Sequence, residues 1–148
     1  MCADCRQELA RDRFNQIDYH FQRDRLKALY EKWHVKRIEG EANSIGEPNI
    51  EELRRDGLPI FGFQTTSLTK QPLIESLALC FEKEECQWQA ETTWTGELEA
   101  YEIKLSTVTG RPTYSAPEGL HDDTVIARAL AWYAVVGRWR TMGKFMKV

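Results

Sequence analysis

Between Asp18 and His34, the apolar residues Leu26, Leu29, Tyr30 and Trp33 fall three and four positions apart, which gathers them on one side of a helix. Asp18 is a fitting N-cap, and the apolar stripe needs a flat surface to pack against. Residues 35–41 follow as a strand candidate that ends in a turn rich in Asn43, Ser44 and Gly46, which places Glu41 at a strand's C-terminal end. Residues 48–56 read as a short helix, with Pro48 in its first turn and Gly57 just past its end. Residues 60–63 form a brief strand. After a hydroxyl-rich stretch ending at Lys70, the spacing of Leu73, Ile74, Leu77 and Phe81 predicts a helix running to about Lys83.

Residues 86–88 are a strand fragment, and residues 1–14 a short extended pair or a strand end that bends over positions 6–9. Residues 93–100 fit a small helix, and residues 101–108 alternate like a half-buried strand that turns at Thr109 and Gly110. The last helix starts around His121, Asp122, Asp123 and Thr124 and carries Val125, Ile126, Ala129, Leu130, Trp132, Tyr133 and Val136, so it is strongly apolar. Alternating strands and helices predict an α/β domain whose functional groups gather at strand ends and helix starts.

The 148 residues, with 42% hydrophobic and 29% charged positions, suit one domain around a single core. The formal net charge of −3 gives no global basic balance for nucleic acid. Its distribution is informative, because every charged residue after Asp123 is basic: Arg128, Arg138, Arg140, Lys144 and Lys147. No apolar run approaches the roughly 18 residues that span a bilayer, and the N-terminus lacks the order of a signal peptide, so a soluble intracellular protein is expected. Cys2, Cys5, Cys80 and Cys86 are then read as reduced thiols. The sharper alternative is zinc, on the ligand-like spacing of Cys2 and Cys5 completed by Cys80 and Cys86; an extended N-terminus would point the first two apart.

Glu41 at a strand end and Asp122 with Asp123 at a helix head are usual places for site carboxylates. Brought together, such groups bind Mg²⁺ or Mn²⁺ through hard oxygens and support attack of water on a phosphodiester. Each also has a plainer reading: first-turn acids complement the helix dipole, Glu41 is a solvated carboxylate, Asn43 and Gly46 form a turn, and His121 is a surface histidine.

The string from Tyr114 through Glu118, Gly119, Leu120, His121, Asp122, Asp123, Thr124 and Val125 to Ala127 resembles the C-terminal signature of the nuclease domain of tailed-phage terminase large subunits. Glu41, Asn43, Ser44, Ile45 and Gly46, then Glu52-Leu53 with Gly57-Leu58-Pro59, then Phe63 with Thr65, Thr66 and Lys70, and then Leu73-Ile74 with Leu77 follow that family's pattern in order. Asp12-Arg13-Phe14 and Gln22-Arg23 with Arg25-Leu26 resemble the segment after its early strands. The resemblance implies an RNase H-like, RuvC-type fold: a mixed central sheet flanked by helices, cutting double-stranded DNA during genome packaging with two Mg²⁺ or Mn²⁺ ions. It carries the metal-holding role to Glu41, Asp122 and Asp123, with Asn43 and His121 in support.

The family's first catalytic Asp lies on an opening strand, and this sequence starts after the corresponding block, so one partial nuclease domain over residues 1–148 is expected, with the opening strand missing and weak or absent cleavage. No Walker-type phosphate-binding run occurs, so the family's ATPase domain is expected to be absent. Arg138, Arg140 and Lys144, near the expected end of the last helix, and Lys70 are candidate DNA phosphate contacts, against the readings of helix-end cations and a solvated lysine. The resemblance further implies the portal and the terminase small subunit as partners, a cytoplasmic location in a bacterial host, and neither membrane nor small-molecule substrate. The rival functions are an inactive prophage remnant that binds DNA or packaging partners, and a cysteine-based metal or redox module.

Overall fold

The computed structural model describes residues 1–43, 46–105 and 112–136, with the side chains of Leu105 and Thr113 left aside. The chain divides into two compact units, one formed by Ala10–Thr65 and the other by Met1–Leu9 with the chain from Thr66 onward.

The first of these units contains helix α1 (Tyr19–Trp33), strand β1 (Ile38–Glu41), helix α2 (Gly46–Arg55) and strand β2 (Ile60–Phe63). The strands pair in parallel, from Ile38 opposite Ile60 to Glu41 opposite Phe63, with α2 making the crossover that a parallel pair requires. Ala42, Ile50, Leu53, Leu58 and Ile60 form the core, and Leu26, Tyr30 and Ile38 pack against it. Half of the apolar stripe anticipated in α1 is thus used as expected, whereas Trp33 remains exposed, one residue before His34 ends the helix in a left-handed conformation. Helix α2 stops as its sequence requires: Gly57 adopts a positive φ of 87°, and the Leu58 N–H returns to the Leu53 carbonyl at 3.1 Å. That return buries Leu58 against Leu53.

The second unit contains α3 (Ser67–Glu82), α4 (Thr92–Ala100), β3 (Glu102–Leu105), β4 (Pro112–Ser115) and α5 (Asp123–Val136). Helix α3 begins with a reciprocal cap, in which Thr66 Oγ1 accepts from the Thr69 N–H at 3.2 Å and Thr69 Oγ1 accepts from the Thr66 N–H at 2.8 Å. Leu73, Ile74, Leu77 and Cys80 of α3, Trp94 of α4 and Val125, Ala129, Leu130 and Trp132 of α5 are buried. Strands β3 and β4 are antiparallel, with Glu102 opposite Ser115. Strand β4 was not anticipated, because it opens on Pro112, which reads locally as a breaker yet fits a strand's first position. Among the described residues the strands form two separate pairs, one parallel and one antiparallel.

Three sequence expectations are corrected. Residues 1–14 do not form their own extended pair: Cys2–Arg6 is a turn closed by the Arg6 N–H on the Cys2 carbonyl at 3.1 Å, and Gln7 bridges in parallel to Gln87, far along the chain. The expected strand fragment at 86–88 survives only as that bridge. Nor are all four cysteines reduced, since Cys80 and Cys86 are joined by a disulfide, with Cα atoms 6.1 Å apart, and so are not open to zinc. The chain turns sharply after α3, with Glu84 at φ 52° and the Glu85 N–H on the Cys80 carbonyl at 2.9 Å, which returns Cys86 to Cys80. Cys2 and Cys5 remain free thiols.

Candidate functional site

Glu41 is the last residue of β1 and is exposed, at the carboxyl end of a parallel pair, where α/β folds usually build their sites. The ladder continues one residue further, the Ala42 N–H donating to the Phe63 carbonyl at 2.9 Å, and the Asn43 side chain then takes over from backbone. Its Oδ1 accepts from the Thr65 N–H at 3.0 Å and its Nδ2 donates to the Thr65 carbonyl at 2.9 Å, imitating one more peptide of the ladder. The same Nδ2 lies 3.5 Å from Glu41 Oε1, so the amide that clasps the strand ends also faces the carboxylate. Glycine is required at position 46, because a Cβ there would lie 2.1 Å from the Glu41 carbonyl oxygen. A cavity of about 430 Å³ opens beside β1, with Glu41, Gly40, Gly46, Asn49 and Arg23 among its lining residues.

Asp122 and Asp123 stand at the head of α5, where the Ile126 N–H already donates to the Asp122 carbonyl at 2.9 Å. Lys70 Nζ donates to Asp122 Oδ2 at 2.8 Å, and the two side chains are only 22% and 25% exposed. The Lys70 ammonium also lies 5.8 Å from the centre of the Tyr101 ring. The Tyr101 hydroxyl is buried with no hydrogen-bond partner among the described residues. Its pKa is pushed well up, first by burial and then by the negative charge of Asp122, with the Tyr114 phenol nearby adding repulsion only once it too is ionised. Asp123 and His121 are exposed.

The sequence reading missed Glu97. This buried carboxylate of α4 accepts the Thr124 N–H at 2.8 Å and the Thr124 hydroxyl at 2.5 Å through Oε2, so a side chain from another helix caps the first turn of α5. Its only local signal was an acid on a small helix, which looks solvated. A second buried pair stands in the same unit: Glu8 Oε1 lies 3.3 Å from Arg128 Nη2, and the guanidinium sits 4.1 Å from the centre of the Trp94 ring.

The structure therefore brings Lys70 to Asp122 and Asn43 to Glu41. Among the described residues no group of three or more His, Cys, Asp or Glu side chains is gathered as a metal cluster. Arg138, Arg140 and Lys144 lie outside the described residues. Within its own unit each acid offers hard donors: Glu41 presents carboxylate oxygens at the end of β1, and Asp122 and Asp123 present theirs at the head of α5, where Asp122 already holds a cationic ammonium. Magnesium in such settings takes one or two carboxylates and keeps several waters, which these residues fit.

No curated protein matches the chain. In fold it is similar to the large terminase nuclease from thermophilic phage G20c solved with bound magnesium, at 28% identity and a TM-score of 0.72, covering 80% of this chain and 63% of that one. The same nuclease has been solved with bound cobalt and with bound zinc. The Thermus phage P74-26 large terminase nuclease domain is similar too, at 28% identity and a TM-score of 0.70, covering 80% of this chain and 61% of that one. The chain thus spans less than two thirds of these solved domains. The mixed α/β architecture is that of an RNase H-like terminase nuclease. The family model of the terminase RNase H-like domain matches residues 4–133, and the chain belongs to that family.

Proposed function

We propose that the chain works as part of a phage large-terminase nuclease that cleaves concatemeric double-stranded DNA during genome packaging, with Mg²⁺ or Mn²⁺ held by Glu41, Asp122 and Asp123. The observation that carries the reading is the placement of these acids at a parallel strand's carboxyl end and at the head of α5, in a chain of this family. A bound divalent cation would supply Lewis-acid stabilisation of the phosphate and lower the pKa of water. The chain's own residues do the rest. Asn43 restrains Glu41 from the strand ends, and Glu97 holds the first turn of α5 and so the backbone that bears Asp122 and Asp123. In this reading, basic residues grip phosphates and give salt-sensitive binding, with Arg138, Arg140 and Lys144 as candidates. The portal and the terminase small subunit are the proposed partners, and a bacterial cytoplasm the proposed setting.

A second reading is a DNA-binding remnant that does not cut, favoured by the Lys70 ammonium already engaged on the Asp122 carboxylate. Nicking of supercoiled plasmid with Mg²⁺ or Mn²⁺ separates the two. Cleavage that disappears in both Glu41→Ala and Asp122→Ala supports the nuclease. A folded chain that retains salt-sensitive DNA binding without nicking, unchanged in either variant, supports the remnant.

A further inference from the structure

Lys70 and Asp122 approach from two independently braced helix starts. Lys70 belongs to the first turns of α3, fixed by the reciprocal cap of Thr66 and Thr69. Asp122 directly precedes α5, whose first turn is fixed by Glu97 through Thr124. The 2.8 Å contact between them joins two braced backbone positions, so making it costs the rotamer freedom of the side chains but no further backbone ordering. Both groups are about three quarters buried, so salt screens the pair less than it would a surface ion pair. The Tyr101 ring, 5.8 Å away, adds an aromatic neighbour for the same ammonium. An ammonium waiting for a DNA phosphate would point to solvent; this one is engaged by a carboxylate.

We propose that Lys70 is the resident counter-cation of Asp122, holding the carboxylate in place until a divalent cation displaces the ammonium. The proposal rests on the reading of Asp122 as a metal ligand. An ammonium at hydrogen-bonding distance and a doubly charged ion repel each other when they share one carboxylate, so each must weaken the other's hold. Lys70 therefore keeps the metal-free carboxylate ordered and sets a threshold for metal entry.

The experiment is titration of the full chain with Mn²⁺, followed by the electron paramagnetic resonance of the free ion, for the wild type, Lys70→Met, Lys70→Arg and Asp122→Asn. Lys70→Met is expected to bind Mn²⁺ about fivefold to tenfold more tightly, the order expected from removing one nearby like charge at a water-accessible site. Its thermal midpoint in EDTA should fall below that of the wild type, and Mn²⁺ should raise it by more. Lys70→Arg, which keeps the positive charge, should bind Mn²⁺ like the wild type. The salt dependence of DNA binding should be the same in Lys70→Met and the wild type.

If Asp122→Asn weakens Mn²⁺ binding while Lys70→Met leaves it unchanged, the counter-cation role is overturned and the metal-ligand reading stands. If Asp122→Asn has no effect, or no variant binds Mn²⁺, both fall together. A salt slope lowered by about one in Lys70→Met, with unchanged Mn²⁺ affinity, makes Lys70 a phosphate contact instead. Circular dichroism checks each variant for folding, and Lys70→Gln replaces Lys70→Met in the same titration if the latter does not fold.

Discussion

Glu97 shows how much one side chain can carry when it is buried with its hydrogen bonds satisfied. Two donors of Thr124 converge on its Oε2, and truncation would leave both inside the protein without that acceptor. Glu97→Ala should therefore destabilise the chain by about 2–4 kcal/mol in urea unfolding, whereas Glu97→Gln, which keeps an acceptor oxygen, should recover a large part of that. Asp12 offers a pH test in the other unit. The hydrogen bond from Arg25, Nε to Oδ2 at 2.7 Å, holds its carboxyl below the usual aspartate value, assisted by the positive charge of Arg25 and opposed by partial burial. A depressed acid contributes stability that is fully present above the unfolded-state pKa and is lost as pH falls through the folded-state pKa. Thermal midpoints across an acid series should accordingly drop less steeply in Asp12→Asn than in the wild type, from a lower starting value at neutral pH.

At the scale of elements, three glycines separate steric need from backbone need. A Cβ at position 46 would meet the Glu41 carbonyl at 2.1 Å, backbone that cannot swing aside, so Gly46→Ala should cost at least about 2 kcal/mol and disturb the β1 end that carries Glu41. Gly57 has open space around it but a φ of 87°, so alanine there should cost only about 1 kcal/mol. Gly96, inside α4 with nothing within 4 Å and no positive φ, is the opposite case: Gly96→Ala should stabilise by about 0.5–1 kcal/mol. Chemical denaturation of the three variants checks both sign and order. The Cys80–Cys86 disulfide closes a short loop with a sequence separation of 6, so its reduction by dithiothreitol should cost about 2 kcal/mol on loop-closure arithmetic.

For the whole molecule, charge and metal are the external controls. With a net charge of −3, DNA binding cannot come from overall attraction and must rest on local basic groups, so its affinity should fall steeply with salt. If the proposed nuclease reading holds, chelation by EDTA should abolish plasmid nicking and Mn²⁺ should restore it. Local pattern alone determined most of the helices, the strand ending at Glu41 and the head of α5, because periodicity, caps and turn residues act over a few positions. The family, too, was legible from ordered short strings such as the run through His121, Asp122 and Asp123. Tertiary structure decided what depends on partners far along the chain: the Gln7–Gln87 bridge, strand β4, the Glu97 cap 27 residues from Thr124, and Lys70 placed on Asp122 across 52 residues. Such contacts follow from how packed helices and strands converge, and a hydrogen bond or ion pair between distant residues leaves no periodic trace in sequence.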